Sequence, residues 1–113
     1  MTLGQARRAF TKEIAYLILH AYELGLEVAL DEGMERLTAK DPTSDHMKGS
    51  LHHLGLSQDV LLFKDGVYLT DTSQYEALGV YWEARGVQHN LPLAWGGRFD
   101  DGNHFSFAWN GKK

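Results

Sequence analysis

Apolar positions along the chain fall into patterned runs separated by polar, glycine-bearing stretches. Phe10, Ile14, Leu17, Ile18 and Ala21 recur at the spacing of one helical face, which predicts an amphipathic helix over residues 4–24. Gly25 stands where a helix C′ glycine belongs, and Leu26 follows as the apolar residue of a Schellman-type end. Glu27-Val28-Ala29-Leu30 reads as a short strand. Residues 31–49 lose all periodicity and contain Pro42 and Gly49, so a long irregular loop is expected, of the kind that carries function in small domains. Val60–Phe63 is a continuous apolar run and reads as a buried strand. Lys64-Asp65-Gly66 is a turn signal, and Val67-Tyr68-Leu69 returns as the second arm of a hairpin. Tyr75, Leu78, Tyr81 and Trp82 give helical spacing again. They predict a second helix over 73–85, capped by Thr72 or Ser73 and closed by Gly86. Residues 87–103 read as irregular, with Pro92 and a Trp95-Gly96-Gly97 turn. His104–Ala108 alternates polar and apolar side chains like a half-buried strand. The order predicts an α+β domain: an antiparallel sheet with two main helices packed on it.

Composition narrows the chemistry. With 113 residues, 43% of them hydrophobic and 12% aromatic, the chain can build one core unaided, so a single domain over 1–113 is expected. It has no cysteine, which excludes disulfides, thiolate metal sites and a cysteine nucleophile. Any metal must therefore take nitrogen and oxygen ligands, and six His are on hand. A net charge of −4 with scattered basic residues argues against a nucleic-acid partner. No apolar run is long enough for a membrane helix, and the first residues lack the basic-then-apolar order of a signal peptide. Synthesis and retention in a cytoplasm, as a monomer, are the expectation.

Two short segments concentrate the candidate chemistry. Ser50-Leu51-His52-His53-Leu54-Gly55-Leu56-Ser57-Gln58-Asp59 offers His52 and Asp59, and Asp101-Gly102-Asn103-His104 offers His104. Two His, one carboxylate and a spare acid are the minimum set for a hydrolytic zinc site with an open fourth position. His52 and Asp59 are too far apart along one straight strand to share an ion, but a turn at Gly55 could fold both onto one point. Spacing alone leaves open that Asp59 caps a turn and the two His are surface residues. Asp101, three residues before His104, suits a general base that is not itself a ligand. A solvated Asp-Gly turn is the plain alternative, and Asp100 competes for the same role. His53 is expected to turn away from the metal, and His20, His46 and His89 are read as non-ligands.

The motif Ser-x-His-x-x-Gly-x-small-x-Asp, then Trp-Gly-Gly, then Asp-x-x-His resembles the LAS metallopeptidases, the group of lysostaphin, the D-Ala-D-Ala metallopeptidases and hedgehog. The matching residues are Ser50, His52, Gly55, Ser57 and Asp59, then Trp95-Gly96-Gly97, Asp101, His104 and Phe105. The likeness is to the branch of D-Ala-D-Ala carboxypeptidases and phage L-alanyl-D-glutamate endolysins, and it covers roughly residues 5–109. Ser57 stands where the family has Ala.

This resemblance implies a LAS/hedgehog-type fold and a zinc peptidase acting on the stem peptide of bacterial peptidoglycan. His52, Asp59 and His104 would bind Zn2+, and Asp101 would be the general base. Ser50 would hold substrate, with Trp95 lining the substrate site. An upstream cation would stabilise the oxyanion; Arg36 is the candidate and Lys48 the alternative, while Arg36 could equally pair with Glu32 or Asp31 on the surface. The expected activity is an L-alanyl-D-glutamate endopeptidase of the bacteriophage endolysin type, made in the host cytoplasm and acting on the cell wall after release. A D-Ala-D-Ala carboxypeptidase and a non-catalytic zinc-containing wall-binding domain are the alternatives.

Overall fold

The computed structural model describes residues 1–31 and 50–113. Arg36, His46, Lys48 and all of the expected loop 31–49 except Asp31 lie outside the described residues.

Helix α1 spans Leu3–Glu23. Thr2 and Gln5 cap it reciprocally: the Gln5 N–H donates to Thr2 Oγ1 at 3.1 Å and the Thr2 N–H to Gln5 Oε1 at 2.8 Å. Its buried stripe is Ala6, Phe10, Glu13, Ile14, Leu17 and Ala21, the predicted face with Ala6 and one carboxylate added and Ile18 only half-buried at its margin. The Leu26 N–H returns to the Ala21 carbonyl at 3.0 Å, closing the helix over Gly25 as expected.

Among the described residues five strands follow: β1 (Glu27–Leu30), β2 (Ser57–Lys64), β3 (Val67–Tyr68), β4 (Leu93–Trp95) and β5 (His104–Phe107). Their order is β1-β2-β5-β4, with β3 on β2, and every pairing is antiparallel. Strand β2 is longer than its apolar run because it serves two partners. Val60–Phe63 pairs with β1, while Ser57–Asp59 pairs with β5 in the register Ser57↔Ser106, Gln58↔Phe105, Asp59↔His104.

A short helix α2 (Leu51–Leu54) precedes β2, and helix α3 (Glu76–His89) lies between β3 and β4. A 3-10 turn over Thr72–Tyr75 leads into α3, so the α-helix begins later than the predicted residue 73. It also continues past Gly86 and ends at Asn90, which takes the left-handed conformation at φ 54°. Gly86 stays inside the helix because the returning chain packs on it: a Cβ there would meet the Leu91 carbonyl oxygen at 2.8 Å.

Side chains alternate between the two faces of the sheet. Val60, Leu62, Phe105, Phe107, Leu93 and Trp95 form the core face, beneath α1 and α3. Trp82 of α3 is fully buried there, edge-on to Phe10 at 5.8 Å and to Phe105 at 5.9 Å. Its indole N–H reaches the carbonyls of Ala94 at 3.0 Å and Ser106 at 3.1 Å, tying α3 to the β4–β5 pair. Arg85 of α3 forms a bidentate ion pair with buried Glu13 of α1 and lies over the Tyr16 ring at 4.2 Å. The opposite face carries Ser57, Asp59, His104 and Ser106. It is covered as well, so β5 is buried on both sides rather than half-buried as its alternation predicts.

Candidate metal centre

His52 reaches the site from α2. Leu54 is the last residue of that helix, and Gly55 stops it at φ 74° and ψ 27°, a conformation that favours glycine. The Arg7 side chain also packs against Gly55, where a Cβ would meet Arg7 Nε at 2.8 Å. The chain then turns into β2, which brings Asp59 back to the level of His52. Helical geometry, rather than strand alternation, separates the two adjacent imidazoles: His52 is buried and His53 is exposed.

Asp59 and His104 are opposed in the β2–β5 register and therefore share a face. His52 Nε2 lies 3.4 Å from Asp59 Oδ1, and His104 Nδ1 lies 3.5 Å from the same oxygen. One donor atom from each of the three residues falls within 4.8 Å of the others. Asp59 Oδ1 is buried yet has no hydrogen-bond partner. A carboxylate oxygen withdrawn from water and left without a donor is costly, so its two imidazole neighbours at non-bonded distance need a physical reason. A cation supplies one. Donors bonded at 2.0–2.1 Å around a tetrahedral ion stand about 3.3–3.4 Å apart, close to both separations seen here. Two imidazoles and a carboxylate are also the ligand types that zinc accepts. The residues fit the ion that the motif implies.

The outer nitrogen of His104 is held as well. Its Nε2 lies 3.3 Å from the Lys113 backbone oxygen, and Phe99 packs against the ring at 5.8 Å between centroids. Lys113 carries no sequence signal, because it contributes a backbone atom.

Asp101 sits in the turn between a 3-10 segment (Gly96–Phe99) and β5. Hydrogen bonds fix the turn on every side. The Asp101 N–H donates to the Gly96 carbonyl at 2.8 Å, the His104 N–H to the Asp101 carbonyl at 3.1 Å, and the Val60 N–H to the Asn103 carbonyl at 2.8 Å. The Gly102 N–H donates to Thr72 Oγ1 at 3.2 Å. The Asp101 side chain is exposed and lines a polar cavity of about 140 Å³ with Asp100, Asn103, Tyr68, Thr70 and Thr72. Asp100 takes the left-handed conformation at φ 62°.

Trp95 is only 5% exposed and offers a ligand little surface. Its indole N–H donates to the Gly102 carbonyl at 2.7 Å, and its ring fits between Gly79 and Gly97, where any Cβ would overlap it. Its observed place is under the Asp101 turn. Ser50 precedes α2 as the N-cap residue; its hydroxyl oxygen is buried and makes no hydrogen bond.

No protein-family model matches the sequence, and no curated protein matches it. A solved structure does. The Serratia marcescens L-Ala D-Glu endopeptidase ChiX superposes with a TM-score of 0.61, covering 93% of this chain and 85% of that chain at 18% identity. The chain therefore shares the fold of that protein, a small α+β domain with helices packed on an antiparallel sheet, as the pattern of elements leads one to expect. Among the described residues, no helix is long and apolar enough to cross a membrane.

Proposed function

We propose that this chain is a zinc peptidase that hydrolyses an amide bond in the stem peptide of bacterial peptidoglycan, specifically the L-alanyl–D-glutamate bond. The observation that carries the reading is the convergence of His52, Asp59 and His104 on a buried Asp59 oxygen that lacks any donor, on the fold of an endopeptidase. The structural neighbour is an L-Ala D-Glu endopeptidase, which favours the L-Ala–D-Glu bond over the D-Ala–D-Ala bond.

In this reading His52 Nε2, Asp59 Oδ1 and His104 Nδ1 would hold the ion. Bound zinc would supply Lewis acidity that polarises the amide carbonyl and acidifies the attacking water. Asp101 takes one proton from the attacking water. As the carbon–nitrogen bond breaks, it passes that proton to the leaving amine, which departs neutral. Arg36, or Lys48 in its place, would stabilise the oxyanion, a contribution that is often a large share of the rate. Ser50, at the head of α2, would help hold the peptide. Trp95 keeps the Asp101 turn in place.

The test is digestion of purified peptidoglycan by the zinc-loaded protein, read by mass spectrometry, with elemental analysis alongside. About one zinc per chain and new fragments with a free D-Glu amine are expected. Loss of terminal D-Ala alone would move the assignment to a carboxypeptidase. A zinc-loaded protein that leaves the wall intact would overturn the peptidase reading.

A further inference from the structure

The imidazole of His104 is contacted from both ends. Nδ1 faces Asp59 Oδ1 at 3.5 Å, and Nε2 faces the Lys113 backbone oxygen at 3.3 Å. A backbone oxygen can only accept a hydrogen bond, so the Nε2 contact calls for an N–H on that nitrogen. With its proton on Nε2, the ring turns Nδ1 toward Asp59.

Lys113 is brought there by a built hairpin. Trp109 and Lys112 form a bridge in which each N–H donates to the other's carbonyl at 2.9 Å. The two residues between them, Asn110 at φ 49° and Gly111 at φ 79°, are both left-handed, as a type I′ turn requires. Asn-Gly is the sequence best suited to that turn. Upstream, the Ala108 N–H donates to the Pro92 carbonyl at 2.8 Å, which fixes the hairpin's base against β4. The segment 109–113 thus folds back onto a ligand of the candidate ion.

We infer that this hairpin is a positioning element of the metal centre, and that the Lys113 backbone oxygen sets the tautomer and ring orientation of His104. The inference rests on the zinc reading of the site. Outer hydrogen bonds of this kind orient a ligating imidazole and raise its basicity, and their loss typically weakens metal affinity about 10–100-fold.

The experiment compares three chains: the full chain, the chain shortened by Lys113 alone, and Lys113→Ala. Zinc affinity is measured by competition with a chromogenic chelator. The tautomer of His104 is read from its ring ¹⁵N shifts in the metal-free protein. Removing only Lys113 keeps the Trp109–Lys112 bridge and the turn, and circular dichroism checks that the domain stays folded.

The shortened chain should bind zinc about 10–100-fold more weakly and lose the single Nε2–H tautomer. Lys113→Ala should match the full chain, since it retains the backbone oxygen. Equal zinc affinity in the full and shortened chains would overturn the hairpin's role while leaving the peptidase reading intact. So would a loss in Lys113→Ala as large as that in the shortened chain. Failure of the full chain to bind zinc would instead overturn the peptidase reading and this inference together.

Discussion

Asp59 and His104 face each other across the β2–β5 pair, with His104 Nδ1 3.5 Å from Asp59 Oδ1 and no hydrogen bond to that oxygen. In the metal-free protein this geometry is a cost, since a buried carboxylate oxygen is unsatisfied. A bound ion converts the cost into a gain. Zinc should therefore raise the melting temperature, and a chelator should reverse the rise. At a free zinc concentration of 100 Kd the gain is about 2.7 kcal/mol, on the order of 10 °C for a domain of this size. Asp59→Ala should abolish the zinc-dependent rise, because it removes the one carboxylate among the three candidate donors. Scanning calorimetry with and without zinc decides. A wild-type transition indifferent to zinc would sink the assignment of the three ligands.

Asp101 and Asp100 are neighbours in one turn, and sequence spacing alone does not separate them as proton carriers. Asp101 is tied to Gly96 and to His104 through its backbone, whereas Asp100 is the left-handed residue that lets the chain turn. Asp101→Ala should retain zinc and lower kcat by about 10²–10⁴-fold. Asp100→Asn, which tolerates the same left-handed conformation, should stay near wild type. Steady-state assays on solubilised wall fragments with parallel zinc titrations measure both. The reverse ranking would transfer the role to Asp100.

Trp95 supports the Asp101 turn from below, so its substitution should register as a turn defect and not as lost substrate contact. Trp95→Phe removes the donor to the buried Gly102 carbonyl and leaves space between Gly79 and Gly97. Leaving that carbonyl unpaired should cost about 1–3 kcal/mol of stability. Kinetically, kcat should fall more than KM rises. A variant with normal stability and a KM defect alone would return Trp95 to the substrate site.

The parts of the site that were legible in the sequence are those with local spacing. His52 and Asp59 flank a glycine that must be left-handed, and Asp101 and His104 share one turn. The face of α1 was legible because five apolar residues repeat at helical spacing. Other features depend on partners far along the chain. Ser57-Gln58-Asp59 has no apolar pattern and is strand only because β5 pairs with it. Leu93-Ala94-Trp95 is too short to show alternation, and β5 supplies its register. Gly86 stands where a helix commonly ends, but the packing of Leu91 and Leu93 carries α3 past it. Glu13 lies between apolar positions of α1, and nothing local marks Arg85 as its partner.

That ion pair makes a separable prediction. The Glu13 side chain is 4% exposed and that of Arg85 17% exposed, and the two bridge α1 and α3. The carboxylate partner holds the Arg85 guanidinium above its ordinary pKa. Arg85→Ala should cost about 3–5 kcal/mol, because Glu13 is left buried and uncompensated. Replacing both residues by apolar side chains of similar volume should recover most of the loss. Zinc affinity of the folded protein should not change, since the helices cover the sheet face opposite the donors. Urea denaturation and zinc competition on the same variants read the two effects apart.

Tyr75 ties the end of the hairpin to the first turn before α3. Its hydroxyl donates to the Leu69 carbonyl at 2.8 Å and accepts from the buried Leu62 N–H at 3.1 Å. Burial raises its pKa above the ordinary 10.0, outweighing the opposing effect of the Leu62 hydrogen bond. The neutral phenol is thus favoured in the folded state. Below pH 10 both states keep the proton and the contribution to stability is complete. As pH rises past 10 the unfolded chain loses its proton first, so the folded state binds more protons and stability falls with pH. Tyr75→Phe should remove this component of the alkaline slope. At neutral pH it should cost about 1–3 kcal/mol, because the Leu62 N–H loses its partner. Urea denaturation of both proteins between pH 8 and 11 measures the difference, and parallel curves over that range would show that Tyr75 does not govern the alkaline limit.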